Sequence, residues 1–199
     1  GIIQNDDAEL NVGDLPAIDE GATLLGPHTV DFPVSLTFPS AVPVTVDYLT
    51  ADGDEVQQLE ITGAPVSGTF SLTFDDDTSL LPLNATSTAV QVQAALESIA
   101  ALAGNVSVTG DLASGPALIT FVGTLSGVDV SELVVFDALA GGSPEVTTLS
   151  QPATAGSDYD ATTGTLTFNP GSATVQMVTV TINDDVFLEN DETFSLSLD

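Results

Sequence analysis

Six carboxylates in this 199-residue chain, Glu20, Asp52, Asp158, Asp160, Asp184 and Asp185, fall in turns between segments that read as β-strands. Acidic side chains gathered in loops have one main chemistry, the ligation of a hard cation by oxygen. Calcium fits best, taking about six to eight oxygens at about 2.3–2.6 Å from several chain segments. The plain alternative is turn chemistry, because Asp is favoured in turns by bonding to its own backbone. The rest of the charge inventory favours the cation. The chain holds 29 Asp and Glu, no Lys or Arg, and one His, for a formal charge of −29. No carboxylate can meet a Lys or Arg of its own chain, so the charge must be tolerated by distance, screening or bound cations.

The segments around these turns are strands by period. Val30–Phe38 alternates loosely and Val42–Leu49 strictly, with a Pro-Ser-Ala turn between them. Thr163–Asn169 and Thr174–Ile182 form a second pair, and Thr193–Leu198 alternates again. These read as half-buried antiparallel strands of a sandwich. The middle differs. Gly68–Phe74 and Ser79–Leu83 flank an Asp-Asp-Asp-Thr turn. Asn84–Leu102 then shifts to helical period, with apolar residues at Val90, Val92, Ala95, Leu96, Ile99 and Leu102. Asn84 or Thr86 is the expected cap and Gly104 the expected stop. Two strands follow, Asn105–Thr109 and Ala117–Val122, before Gly-Gly-Ser-Pro punctuation at 141–144. The expected fold is mainly β, an antiparallel sandwich carrying an α+β module of order β-β-α-β-β.

Composition narrows the function. A hydrophobic fraction of 43% with 15% charged residues suits a packed protein. No apolar run approaches the roughly 18 residues of a membrane span, and any export signal is expected outside this segment. Zero Cys excludes disulfides and thiolate chemistry. Nucleic acid is excluded as a direct partner, because nothing could neutralise its phosphates. Catalysis has little to build on. His28 has no second His to share a transition metal, and a sugar site would want stacking aromatics, whereas the chain has no Trp and only Tyr48 and Tyr159. An enzyme is not expected. Asp75-Asp76-Asp77 reads as a solvated hairpin tip, and the sequons at Asn84 and Asn105 are explained equally well by a helix cap and a strand start.

Several motifs in order resemble a known family. Asp19-Glu20-Gly21, Asp47-Tyr48-Leu49-Thr50-Ala51-Asp52-Gly53, Ala153-Thr154-Ala155-Gly156-Ser157-Asp158-Tyr159, Gly164-Thr165-Leu166-Thr167-Phe168, and Ile182-Asn183-Asp184-Asp185 with Glu189-Asn190-Asp191-Glu192-Thr193-Phe194 resemble successive landmarks of a Calx-beta domain. The resemblance implies an immunoglobulin-like sandwich formed by 8–53 plus 150–199, with the acidic loops converging at one end to hold Ca2+. Asn183 and Thr163 stand where calcium-regulated members carry further acids, so one or two ions per unit are expected. The intervening 54–149 resembles an α+β module repeated in giant secreted bacterial proteins, inserted into a loop where insertion costs little. Gly1–Asp7 looks like the last strand of a Calx-beta domain and is expected to belong to a neighbouring or preceding unit, either because a tandem array is cut out of phase or because each unit lends its first strand to its neighbour. Asp6 and Asp7 would then complete that unit's calcium site.

The function this implies is a calcium-stabilised structural repeat of an extracellular bacterial filament, stalk or adhesin. Its partners would be copies of itself or adjacent repeats, joined end to end. Two other readings follow from the same residues: a calcium-sensing regulatory domain, and a glycan- or cell-binding module presented by the inserted part.

Overall fold

The computed structural model describes residues 8–18, 26–184 and 190–199. In chain order the first half holds β1 (Leu10–Val12), β2 (His28–Leu36), β3 (Val44–Asp52), β4 (Val56–Ser67), β5 (Phe70–Phe74), β6 (Asp77–Thr78) and helix α1 (Ala89–Glu97). The second half holds β7 (Val106–Thr109), β8 (Ala117–Phe121), β9 (Val134–Asp137), β10 (Ala140–Pro152), β11 (Thr163–Phe168), β12 (Val175–Ile182) and β13 (Glu192–Leu198). The chain divides into two compact units: residues 1–51, 153–188 and 194–199, and residues 52–152 with 189–193.

The first unit is a β-sandwich. β2 pairs antiparallel with β12 through Val175↔Ser35 to Ile182↔His28, and β1 adds to the other edge of β2. β3 pairs antiparallel with β11 through Thr163↔Leu49 to Phe168↔Val44, while Asp199 closes a backbone pair with Asp47 at 2.9 and 3.2 Å. Alternate residues of both layers face inward: Phe32, Val34 and Leu36, Val178, Val180 and Ile182 from one, Val46, Phe168 and Leu196 from the other. The period of two legible in these segments is therefore the division between core and solvent. Tyr159 is buried in the same core, stacked on Phe194 with ring centroids 4.5 Å apart. Phe32 meets the same Phe194 ring edge-on at 5.7 Å.

The second unit is built on a long ladder between β4 and β10, running from Ser150↔Val56 to Ala140↔Ser67. β8 pairs with the other side of β4 and β7 with β8, all antiparallel. Here the structure departs from the expected order. Residues 141–144 do not punctuate the chain; they lie inside β10, at a register shift between Ala140 and Gly142. Glycine is required there for a steric reason. Gly63 (φ +77) and Gly141 (φ +90) face each other so closely that a Cβ on Gly63 would sit 3.0 Å from the Gly141 carbonyl oxygen. The glycines make a bulge rather than an end. Likewise Ser79–Leu83 is not a strand of its own: the hairpin partner of β5 is the short β6, and Leu83 makes an isolated bridge to Phe70.

α1 is shorter than its apolar pattern and is capped differently. Thr88 is the cap, its hydroxyl accepting from Gln91 N while the Gln91 side chain accepts from Thr88 N at 2.9 Å, a reciprocal capping box. The Asp111 carboxylate accepts from Ala89 N at 2.7 Å, placing negative charge at the positive end of the helix. Asn84 instead forms the turn before the helix, accepting from Thr86 N and Thr86 Oγ1 at 2.9 and 2.8 Å. Val92, Ala95 and Leu96 are buried, Ile99 and Leu102 are carried by a following 3-10 turn, and Val90 points to solvent at 78% exposure. The core of this unit joins those residues to Phe70, Leu72 and Phe74 of β5 and to Ile119 and Phe121 of β8.

Candidate metal centre

The candidate acids fall into three groups. Glu20, Asp185, Asp6 and Asp7 lie outside the described residues. Asp52 ends β3 and is counted with the second unit. Asp158, Asp160 and Asp184 lie in the first unit, on two chain segments that the backbone brings side by side. Asn183 N donates to the Asp158 carbonyl at 2.9 Å, and Asp160 N donates to the Thr181 carbonyl at 2.9 Å. The loop 154–158 is closed on itself, with Asp158 N donating to Thr154 O at 3.0 Å and Asp158 Oδ2 accepting from Thr154 N at 2.5 Å. Asp158 is half-buried and Asp160 exposed.

Asp184 carries the most telling geometry. Its Oδ2 accepts from Gly26 N at 3.1 Å, whereas its Oδ1 is buried and has no hydrogen-bond partner. An unmade bond on a buried charged group costs about 1–3 kcal/mol or more, so such an atom needs a proton or a cation. The oxygen-only donor set suits calcium, and the orphaned Oδ1 supplies the need. Among the described residues, no three or more His, Asp or Glu side chains come together closely enough to hold an ion by themselves.

Several other carboxylates answer the absence of Lys and Arg by another route. Hydroxyls answer them, across the ladders from Thr165 to Asp47 at 2.5 Å and from Thr179 to Asp31 at 2.6 Å, and between loops from Ser126 to Asp54 at 2.6 Å. Side-chain amides do the same, from Gln93 to Glu97 at 3.0 Å and Gln151 to Asp129 at 2.9 Å. Short bonds from O–H to an ionised acceptor are the strong kind. Composition displays the richness in Ser, Thr and Gln, but their pairing with acids depends on strand register.

The deepest acid was not singled out by its sequence context. Glu55, at 0% exposure, accepts from Gln57 Nε2 at 2.7 Å and from Val130 N at 2.7 Å. Gln57, also at 0%, accepts in turn from Leu133 N at 2.9 Å. Desolvation pushes the Glu55 carboxyl above its ordinary value; the two hydrogen bonds oppose that shift, and the neighbouring Asp129 adds to it. This network ties the segment 130–133 to the start of β4. A single Glu one residue before a strand gives no sign of such burial.

Fold and site together define a β-sandwich module with carboxylate-bearing loops between its strands. The Calx-beta domain family model matches residues 143–199, which contain β11, β12 and β13 with Asp158, Asp160 and Asp184. The match is confined to the C-terminal part of the chain, where several of the motifs that resemble this family lie; the earlier landmarks around Glu20 and Asp52 lie outside the matched stretch. No curated protein matches the chain. Among the described residues no helix is long and apolar enough to cross a membrane.

Proposed function

We propose that the chain is a calcium-stabilised structural unit of an extracellular bacterial repeat protein, serving in a filament, stalk or adhesin. The observation that carries the calcium part is the buried Asp184 Oδ1, which has no hydrogen-bond partner and sits in the loop after β12 of the matched domain. In this reading Asp184 Oδ1 anchors Ca2+, with Asp158 on the neighbouring segment as the second ligand to test. The ion supplies the positive charge that the chain lacks and cross-links loops that are otherwise mutually repelling.

The structural role is supported by what the molecule invests in. Two hydrophobic cores are filled by strand faces, and the buried Glu55 and Gln57 of the second unit are satisfied by side-chain amide and backbone partners. The surface charge favours a saline exterior where calcium is abundant, and the partners in this reading are neighbouring repeats of the same kind. Thermal unfolding of the full chain in calcium and in excess chelator tests it. A melting temperature lowered by chelator and restored by calcium, with about millimolar affinity, is expected for an extracellular module. Identical melts with and without calcium would overturn the reading.

A further inference from the structure

The second unit leaves an apolar face uncovered beside an acidic turn. β9 pairs with β5 in the register Phe70↔Asp137, Ser71↔Phe136, Leu72↔Val135 and Thr73↔Val134. Phe70, Leu72 and Phe74 face the core, so Ser71, Thr73, Val134 and Phe136 share the opposite face. There Val134 is 63% and Phe136 72% exposed, although the adjacent polar positions show that this face is otherwise built for water. A groove of about 420 Å³ runs along it, bounded by Asp75 and Asp76 at one side and Glu132 at the other. Its size lies within the roughly 300–1,000 Å³ of ordinary ligand sites.

The turn itself is built against its own preferences. Asp75 (φ +46) and Asp76 (φ +71) both take the left-handed conformation of a two-residue hairpin turn, a place best served by Asn-Gly. Two adjacent like charges stand there with no Lys or Arg anywhere in the chain to answer them. Among the described strands, β9 pairs only with β5, so its outer edge also keeps free backbone groups for an added strand.

We infer that this groove docks an extended segment of another polypeptide, one that carries Lys or Arg next to an apolar side chain. The apolar residue covers Val134 and Phe136, and the cation lies between the Asp75–Asp76 turn and Glu132. Charge decides against a second copy of this chain, which has no Lys or Arg to offer. A neutral glycan would leave the acidic walls unanswered.

Fluorescence polarisation on the full chain, with a labelled hexapeptide alternating lysine and leucine, tests the inference. Saturable binding is expected, weakened about tenfold or more in Phe136→Ser and in the double variant Asp75→Asn/Asp76→Asn. A peptide with serine for lysine should bind about tenfold more weakly as well. Phe136→Ser leaves the net charge unchanged, so undiminished binding to it would mean diffuse attraction to an acidic surface and would overturn the site. Equal binding of the serine peptide, or no binding of the lysine peptide, would overturn it too. Val134→Thr serves as a second variant suited to a strand, and an unchanged melting temperature for it separates lost docking from lost folding.

Discussion

Two carboxyls, one in each unit, meet the interior in opposite ways: Glu55 is wholly buried, whereas Asp184 is half-buried with one oxygen enclosed. In the second, Glu55 has a donor for each oxygen, Gln57 Nε2 and Val130 N, both at 2.7 Å. In the first, Asp184 has one oxygen bonded to Gly26 N and the other buried without a partner. One unit has brought its acid inside together with the groups that satisfy it. The other has left one enclosed carboxylate oxygen without a hydrogen bond. In the proposed reading, the difference separates the part of a chain without Lys or Arg that is self-sufficient from the part that calls on a dissolved cation.

The comparison can be broken most forcefully in the cores. Leu96, at 0% exposure between α1 and the strands, belongs to the second unit, and Phe168, at 1%, to the first. Leu96→Ala should cost about 2–5 kcal/mol and Phe168→Ala about 3–5 kcal/mol. If the units unfold separately, calorimetry will show each variant lowering a different transition. A single transition lowered equally by both would mean that the units are not independent.

Gln57→Ala tests self-sufficiency next. It strands Glu55 Oε1 and Leu133 N without these partners and should destabilise by about 2–3 kcal/mol in denaturant titration, with or without calcium. An effect that appears only in chelator would contradict the contrast. Thr88→Ala removes the hydroxyl half of the capping box and should cost about 1 kcal/mol, again independent of calcium.

A pH series sharpens the same point through its sign. The folded-state value of Glu55 is raised above the ordinary 4.5, so between the two values the native state binds more protons than the unfolded chain. Its contribution is fully present below the ordinary value and is lost as pH rises through the raised one. Glu55→Gln, neutral throughout, should flatten that decline. An unchanged pH profile in the variant would show that Glu55 is not its source.

Much of the sandwich is written in local pattern. Strict alternation in Val42–Leu49 places Val46 inside, and the alternation of Val178, Val180 and Ile182 does the same in the second half of β12, because one buried sheet face imposes a period of two. The ladder of β4 and β10 was hidden for the opposite reason. Its residues bury little of either face, and Gly141-Gly142 reads as a break although it forms a bulge. The helix was legible as a helix but not in its bounds: Val90 fits the apolar period yet faces water, and the Thr88–Gln91 box competes successfully with Asn84. At the candidate centre, residue type alone pointed to Asp158, Asp160 and Asp184. The backbone pairing of Asp158 with Asn183 is long-range and leaves no local trace. Nor does the fate of Glu55, whose partners lie up to 75 residues away.

The most direct test is a calcium titration of unfolding in the full chain and in Asp184→Asn, followed by calorimetry. Calcium should raise the transition assigned to the first unit by Phe168→Ala, leave that assigned to the second by Leu96→Ala in place, and lose at least about tenfold in affinity in Asp184→Asn. A calcium response that resides in the second unit, or one that Asp184→Asn leaves intact, would contradict the account.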